Sequence, residues 1–121
     1  MSAAKVNLAE KLSRFDEPWV PRIVGELNGQ LVKVAKCAGP YVWHHHADQD
    51  ELFMVISGRL RIELEGDKVV LEPGELYIVP RGVEHRPVAD DECHIMLFEP
   101  APTLNTGNVR SKRTVDRPRR I

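Results

Sequence analysis

Leu60, Ile62 and Leu64 alternate with Arg59, Arg61, Glu63 and Glu65, the period of two that sets one face of a strand against a core and the other in water. Short runs of this kind fill most of the chain. Residues 23–27 and 30–36 flank Asn28-Gly29, a pair suited to a type I′ hairpin turn because both central positions need positive φ. In the second arm Leu31, Lys33 and Ala35 compete with Val32, Val34 and Lys36, and alternation alone leaves the inner face open. Further strands are expected at 41–46, 51–56, 59–65, 68–71, 76–79, 85–88 and 93–98. Between them stand turn-forming groups such as Ala47-Asp48-Gln49-Asp50, Glu72-Pro73-Gly74, Arg81-Gly82-Val83 and Ala89-Asp90-Asp91-Glu92. About eight strands broken at short, regular intervals predict an all-β sandwich or barrel rather than strands joined by crossover helices.

The ends depart from this pattern. Leu8, Leu12 and Phe15 share one side of a short helix over 7–15, with Asn7 as N-cap, Glu10 as its capping-box partner, and Pro18 and Pro21 beyond. After Pro100 the periodicity stops, and an irregular tail over 101–121 carries Arg110, Lys112, Arg113, Arg117, Arg119 and Arg120. It reads as a solvated end or as an arm laid across a partner subunit.

With 121 residues the chain suits one domain spanning 1–121, with its barrel core over about 22–100. Seventeen basic against 18 acidic side chains leave a net charge of −1, so no overall field favours nucleic acid or an anionic membrane. No apolar run approaches a bilayer span of about 20 residues, and Met1 to Asn7 lacks the apolar stretch of a secretory signal. A cytoplasmic location is therefore expected. Cys37 and Cys93 are too few for a disulfide framework or a thiolate zinc site and read as reduced packing residues.

The residues that suggest chemistry are His44, His46, Glu51 and His85. A His-X-His pair on a strand sends both rings to one side, and three imidazoles with one carboxylate suit a first-row divalent ion while leaving octahedral positions open to water or substrate. On the same alternation Phe53 shares the face of Glu51, Asp50 falls in a turn, and His45 lies opposite the two candidate ligands beside Trp43 and Tyr41. His94 groups with Met96 and Phe98, as a packed, pocket-lining or proton-transfer histidine.

Gly39, His44-His45-His46, Glu51 and Gly58, with the intervals Ala47 to Asp50 and Leu52 to Ser57, closely resemble the first motif of the cupin superfamily. The second motif, glycine, five residues, Pro-X-Gly, two residues and histidine, is matched by Gly74, Pro80, Gly82 and His85. Ala89 stands where that motif closes with asparagine. The stretch is similar to the small single-domain cupins named for mannose-6-phosphate isomerase, a shared domain and not an inherited activity.

This resemblance implies a cupin jelly-roll barrel in which His44, His46, Glu51 and His85 converge on one divalent transition metal, such as iron, manganese, zinc or nickel. It also implies a small-molecule ligand and a homodimer. Neutral imidazoles and one carboxylate around a 2+ ion leave a charge of about +1, which favours a small anion or a chelating pair of oxygens. The superfamily includes oxygenases, isomerases and non-catalytic binding proteins, so a metal-dependent enzyme and a binding module are both expected readings, and no catalytic residue is assigned.

Overall fold

Asn28 and Gly29 sit at φ +49° and +78°, the left-handed pair that a type I′ turn requires, and they join β1 (Arg22–Leu27) to β2 (Gln30–Pro40). The computed structural model describes residues 4–121; the expectation for Met1 to Ala3 lies outside them. Further strands follow as β3 (Glu51–Ser57), β4 (Leu60–Leu64), β5 (Asp67–Leu71), β6 (Leu76–Val79), β7 (His85–Pro100) and β8 (Arg119–Arg120). Ladders run β5-β4-β7-β2-β1-β8, while β3 lies between β7 and β6. This is the jelly-roll barrel expected of the chain.

The long strand β7 closes the barrel. Its first part pairs with β4 (Leu64↔His85 to Arg61↔Val88), and its second runs between β2 and β3, with Ala35 and Val55 both opposite Ile95. The sequence reading split this strand at Ala89-Asp90-Asp91-Glu92; the three acidic side chains instead point into water from a continuous strand. A register shift between Cys37 and Gly39 on β2 absorbs the bend, with Gly39 at φ +74°, the usual way for a strand to change sheets.

A second correction concerns residues 41–46, which form no strand. Single links tie them to the neighbouring chain instead: Tyr41 N–H to the Pro87 carbonyl (2.9 Å), and reciprocal bonds between His44 and His85 (3.0 and 2.9 Å). Parity therefore fails there. Tyr41 is buried with the core, Trp43 is exposed with the Arg86 guanidinium 5.4 Å from its ring centre, and His45 pairs with Glu84 at 2.8 Å.

The interior packs Phe53, Val55, Leu60, Ile62, Ile95 and Leu97. Arg61, Glu63, Arg86 and Asp90 form a charged network on the outer side of β4 and β7, as the alternation of β4 implies. Helix α1 (Leu8–Leu12) lays Leu12, with Phe15, against Val24 and Val34 on the outer face of β1 and β2. Asn7 caps it, accepting from Glu10 N–H at 3.0 Å. Glu10 does not complete a capping box, because its carboxylate holds the Arg14 guanidinium at 2.6 Å; the helix ends at Ser13, before either proline.

The tail is not a loose, solvated end. It folds back over its own barrel, where β8 pairs in parallel with β1 and Ile121 N–H bonds the Ile23 carbonyl at 3.0 Å. On the way Thr106 is fully buried, its hydroxyl 2.7 Å from that of Thr114, and Asn108 brackets His45 through N–H to carbonyl (3.1 Å) and side-chain oxygen to N–H (2.9 Å). Arg110 and Arg120 are neutralised by Asp116 and Glu26.

Candidate metal centre

His44, from an irregular segment, and His85, which opens β7, reach the barrel interior with their main chains bonded to each other. Glu51 opens β3, and His46 is placed by the bond from Gly82 N–H to its carbonyl at 2.7 Å. The turn carrying Gly82, at φ +79°, is thereby pinned beneath the histidine segment. The Asp50 carboxylate secures the same corner by accepting from Arg81 N–H at 2.9 Å, consistent with a turn position outside the cluster.

All four candidate side chains are buried, at 0, 4, 3 and 0% exposure for His44, His46, Glu51 and His85. One ligand atom from each falls within 4.8 Å of the others. Glu51 Oε1 stands 3.3 Å from His46 Nε2 and 3.5 Å from His85 Nε2. These spacings suit an ion about 2.1 Å from each donor, for which adjacent octahedral donors lie about 3 Å apart.

The protons are arranged for the same purpose. His44 Nδ1–H donates to the Val42 carbonyl at 2.9 Å and His85 Nδ1–H to the Val83 carbonyl at 2.8 Å; a carbonyl can only accept, so each Nε2 keeps its lone pair. Those two Nε2 atoms, His46 Nε2 and Glu51 Oε1 are buried without a hydrogen-bond partner. Orphaned buried polar atoms are costly and rare in folded proteins. Four converging on one point fit a divalent cation.

Charge distribution agrees. Burial, with neighbouring His85 second, lowers His44 to about 4 and keeps its ring neutral at physiological pH. Burial also opposes ionisation of Glu51, but its neighbours Glu99, His46 and His85 outweigh it and hold the carboxyl well below the usual range. Burial raises Glu99 well above the ordinary carboxyl range, and the charge of Glu51 adds to this against the opposing Lys33 ammonium.

Beside the cluster lies a cavity of about 30 Å³, room for a water or two. Trp19, Tyr41, Phe53, Glu99 and Asn105 help to line it together with His44 and Glu51. Phe53 is placed as its parity with Glu51 implies, edge-on to His85 with ring centres 6.1 Å apart. Trp19, at φ +63°, is held by its N–H to the Lys36 carbonyl (2.7 Å) and its indole N–H to the Ala38 carbonyl (2.8 Å). His94 takes no part; it is half-buried on the other side of β7, 2.9 Å from Glu92.

Lys33 and Glu99 escaped the sequence reading. Glu99 continues the inward series Cys93, Ile95, Leu97, and that parity was the available signal. Nothing local marks Lys33 as its partner across 66 residues.

Residues 30–99 match the family model described as a cupin domain. The chain belongs to the cupin family. A cupin-2 domain containing protein from Shewanella frigidimarina NCIMB 400 is 44% identical, with a TM-score of 0.78 over 78% of this cupin and 93% of that chain. The uncharacterized protein YdbB of Bacillus subtilis (strain 168) is 39% identical over 64 residues, 52% of this cupin and 57% of YdbB. The cupin thus spans about half the length of the curated relatives it matches. Hydroquinone 1,2-dioxygenase from Sphingomonas sp. TTNP3 shares the fold at a TM-score of 0.66 and 16% identity, over 78% of this cupin and 72% of that chain. Among the described residues no helix is long and apolar enough to cross a membrane.

Proposed function

We propose that His44, His46, Glu51 and His85 ligate a divalent transition metal, iron, manganese, zinc or nickel, and that this cupin is a metal-dependent enzyme acting on a small organic substrate by oxygenase or isomerase chemistry. The reading is carried by the four unpartnered ligand atoms that converge inside the barrel. A bound ion would supply Lewis acidity, and with iron or manganese redox capacity, at positions the protein leaves open.

The chain's own groups define the rest. Trp19, Tyr41 and Phe53 give the cavity an apolar lining, which strengthens charge interactions beside it. Burial and the charge of Glu51 raise the Tyr41 hydroxyl well above its usual range, so it stays a neutral donor facing the site. A net charge of about +1 on the loaded site favours an anionic or oxygen-chelating substrate. At about 30 Å³ the cavity favours a small ligand. The single domain over 1–121, the cytoplasmic location and the homodimer belong to this proposal; half-exposed Leu76 and Ile78 on β6 offer the dimer an apolar surface, and sedimentation velocity tests it.

Metal analysis of protein purified without chelator or affinity nickel is the first test, with near-stoichiometric metal expected. A screen of carboxylates, keto acids and sugars under oxygen and under nitrogen follows, with His46→Ala as control. Turnover that survives His46→Ala refutes the metal-enzyme reading; metal binding without turnover favours a binding module.

A further inference from the structure

The cavity beside the ligand cluster is walled largely by apolar side chains such as Ala35, Ile95 and Leu97. Two of its polar groups are engaged elsewhere. The Trp19 indole N–H donates to the Ala38 carbonyl at 2.8 Å, and Asn105 gives its N–H₂ to the Arg113 carbonyl (2.8 Å) and its oxygen to the Val115 N–H (2.9 Å). Glu99 differs. Its Oε1 accepts from Lys33 Nζ at 2.9 Å, with both side chains 1% exposed, while Oε2 is buried without a hydrogen-bond partner. Glu99 borders the cavity and Lys33 does not, so the engaged oxygen is the one turned toward β2 and the free oxygen is left to the cavity. An unpaired buried oxygen is rare in a folded interior, and a buried ion pair adds little to stability that apolar side chains of similar volume would not. Folding gives no reason for this arrangement; a ligand does.

We propose that Glu99, anchored by Lys33, is a specificity-determining residue whose Oε2 binds a hydroxyl of the substrate, and that the substrate is a short-chain hydroxy acid with its carboxylate on the ion. The inference deepens the proposed function and rests on it. Chemistry selects the hydroxyl by exclusion. An amine would bring a positive charge beside a loaded site of about +1, where Lys33 already neutralises Glu99. A second carboxylate would set two acid groups oxygen to oxygen, an arrangement that disfavours charge on both. An alkyl group would leave Oε2 unpaired at the cost of its desolvation. A hydroxyl both donates and accepts, so it satisfies the Glu99 carboxyl whether or not that group carries a proton.

The probes are glycolate and 3-hydroxypropionate, each against its deoxy counterpart, acetate or propionate, titrated by calorimetry into protein saturated with Co²⁺. A hydroxyl can also chelate the ion, so the readout is the ratio of hydroxy to deoxy affinity compared between wild type and variant, in which chelation cancels. The double variant Lys33→Met/Glu99→Leu removes both members of the buried ion pair and is expected to melt, metal-free, at or above the wild-type temperature. For at least one pair its ratio is expected to fall about 10- to 100-fold, the size of a hydrogen bond to a charged group, with acetate and propionate bound within about threefold of wild type. Should the double variant fail to fold, Glu99→Asp takes its place: it keeps a carboxylate for Lys33 but draws the second oxygen back by one methylene, and a fall of about tenfold is expected. An unchanged ratio for both pairs in the folded double variant or in Glu99→Asp overturns the role of Glu99 and leaves the metal reading standing, as does a Co²⁺-loaded wild type that binds neither hydroxy acid. A wild-type protein that takes up no Co²⁺ overturns the metal reading and this inference with it.

Discussion

Replacing Gly107 by alanine tests whether the tail holds the histidine segment in place. Gly107 sits at φ +55°, and a Cβ there would meet the His45 carbonyl oxygen at 2.1 Å, its carbonyl carbon at 2.9 Å and the His44 ring at 3.1 Å. The first contact is about 1 Å inside any tolerable separation, and its partner is backbone, so the tail must lift. Lifting it strains the bonds between His45 and Asn108 at 2.9 and 3.1 Å, each worth about 1 kcal/mol, and alanine in the left-handed region costs about 1 kcal/mol more. The expected loss is therefore about 3 kcal/mol. Gly82→Ala is the control: its φ is +79°, but a Cβ there meets nothing within 4 Å, so only the conformational cost of about 1 kcal/mol applies. Urea unfolding of both variants at equal m-value measures the difference, and amide exchange at His45 and Asn108 locates it. A Gly107→Ala variant that loses no more than Gly82→Ala, with both amides still protected, would refute the docking argument.

Acidification of metal-free protein probes His44. Its folded value of about 4 lies below the unfolded value near 6.5, so the unfolded chain binds the extra proton between them. Stability from this group is complete above about pH 6.5 and is lost as pH falls toward 4, by roughly 3 kcal/mol; urea unfolding of wild type and His44→Gln should diverge in slope across that window, and parallel slopes contradict it. Metal supplied at 100 times its dissociation constant should add about 2.7 kcal/mol, seen as a melting temperature that a chelator lowers by roughly 10 °C; no change on chelation counts against the site. Ile62→Ala, at a fully buried position, should cost about 2–5 kcal/mol without altering metal stoichiometry, as calorimetry and metal analysis can check. Burial raises the Cys37 thiol far above its normal range and the Cys93 thiol to about 11, so a disulfide reagent at pH 8 should label neither until the protein unfolds.

What the sequence disclosed, and what it hid, divides along physical lines. Asn28-Gly29, the alternation of β4 and the glycines around Pro80 act through local backbone geometry, so each could be read where it stands. His44, His46, Glu51 and His85 were legible because motif spacing ties them to those local features. Tyr41 was misplaced because alternation holds only in a paired strand, and residues 41–46 bond to their neighbours one link at a time. Ala89-Asp90-Asp91-Glu92 looked like a turn because three successive acids must face water, a demand that the solvated outer bend of β7 also meets. The Lys33–Glu99 pair and the docking of Asn108 on His45 join residues 66 and 63 apart; neither has a local cause to read.

The reciprocal main-chain bonds between His44 and His85 mean that two of the donors share one rigid frame before any ion arrives. An ion taken up by the proposed site would meet two donors whose backbones are already fixed, so less ordering remains to be done when it binds.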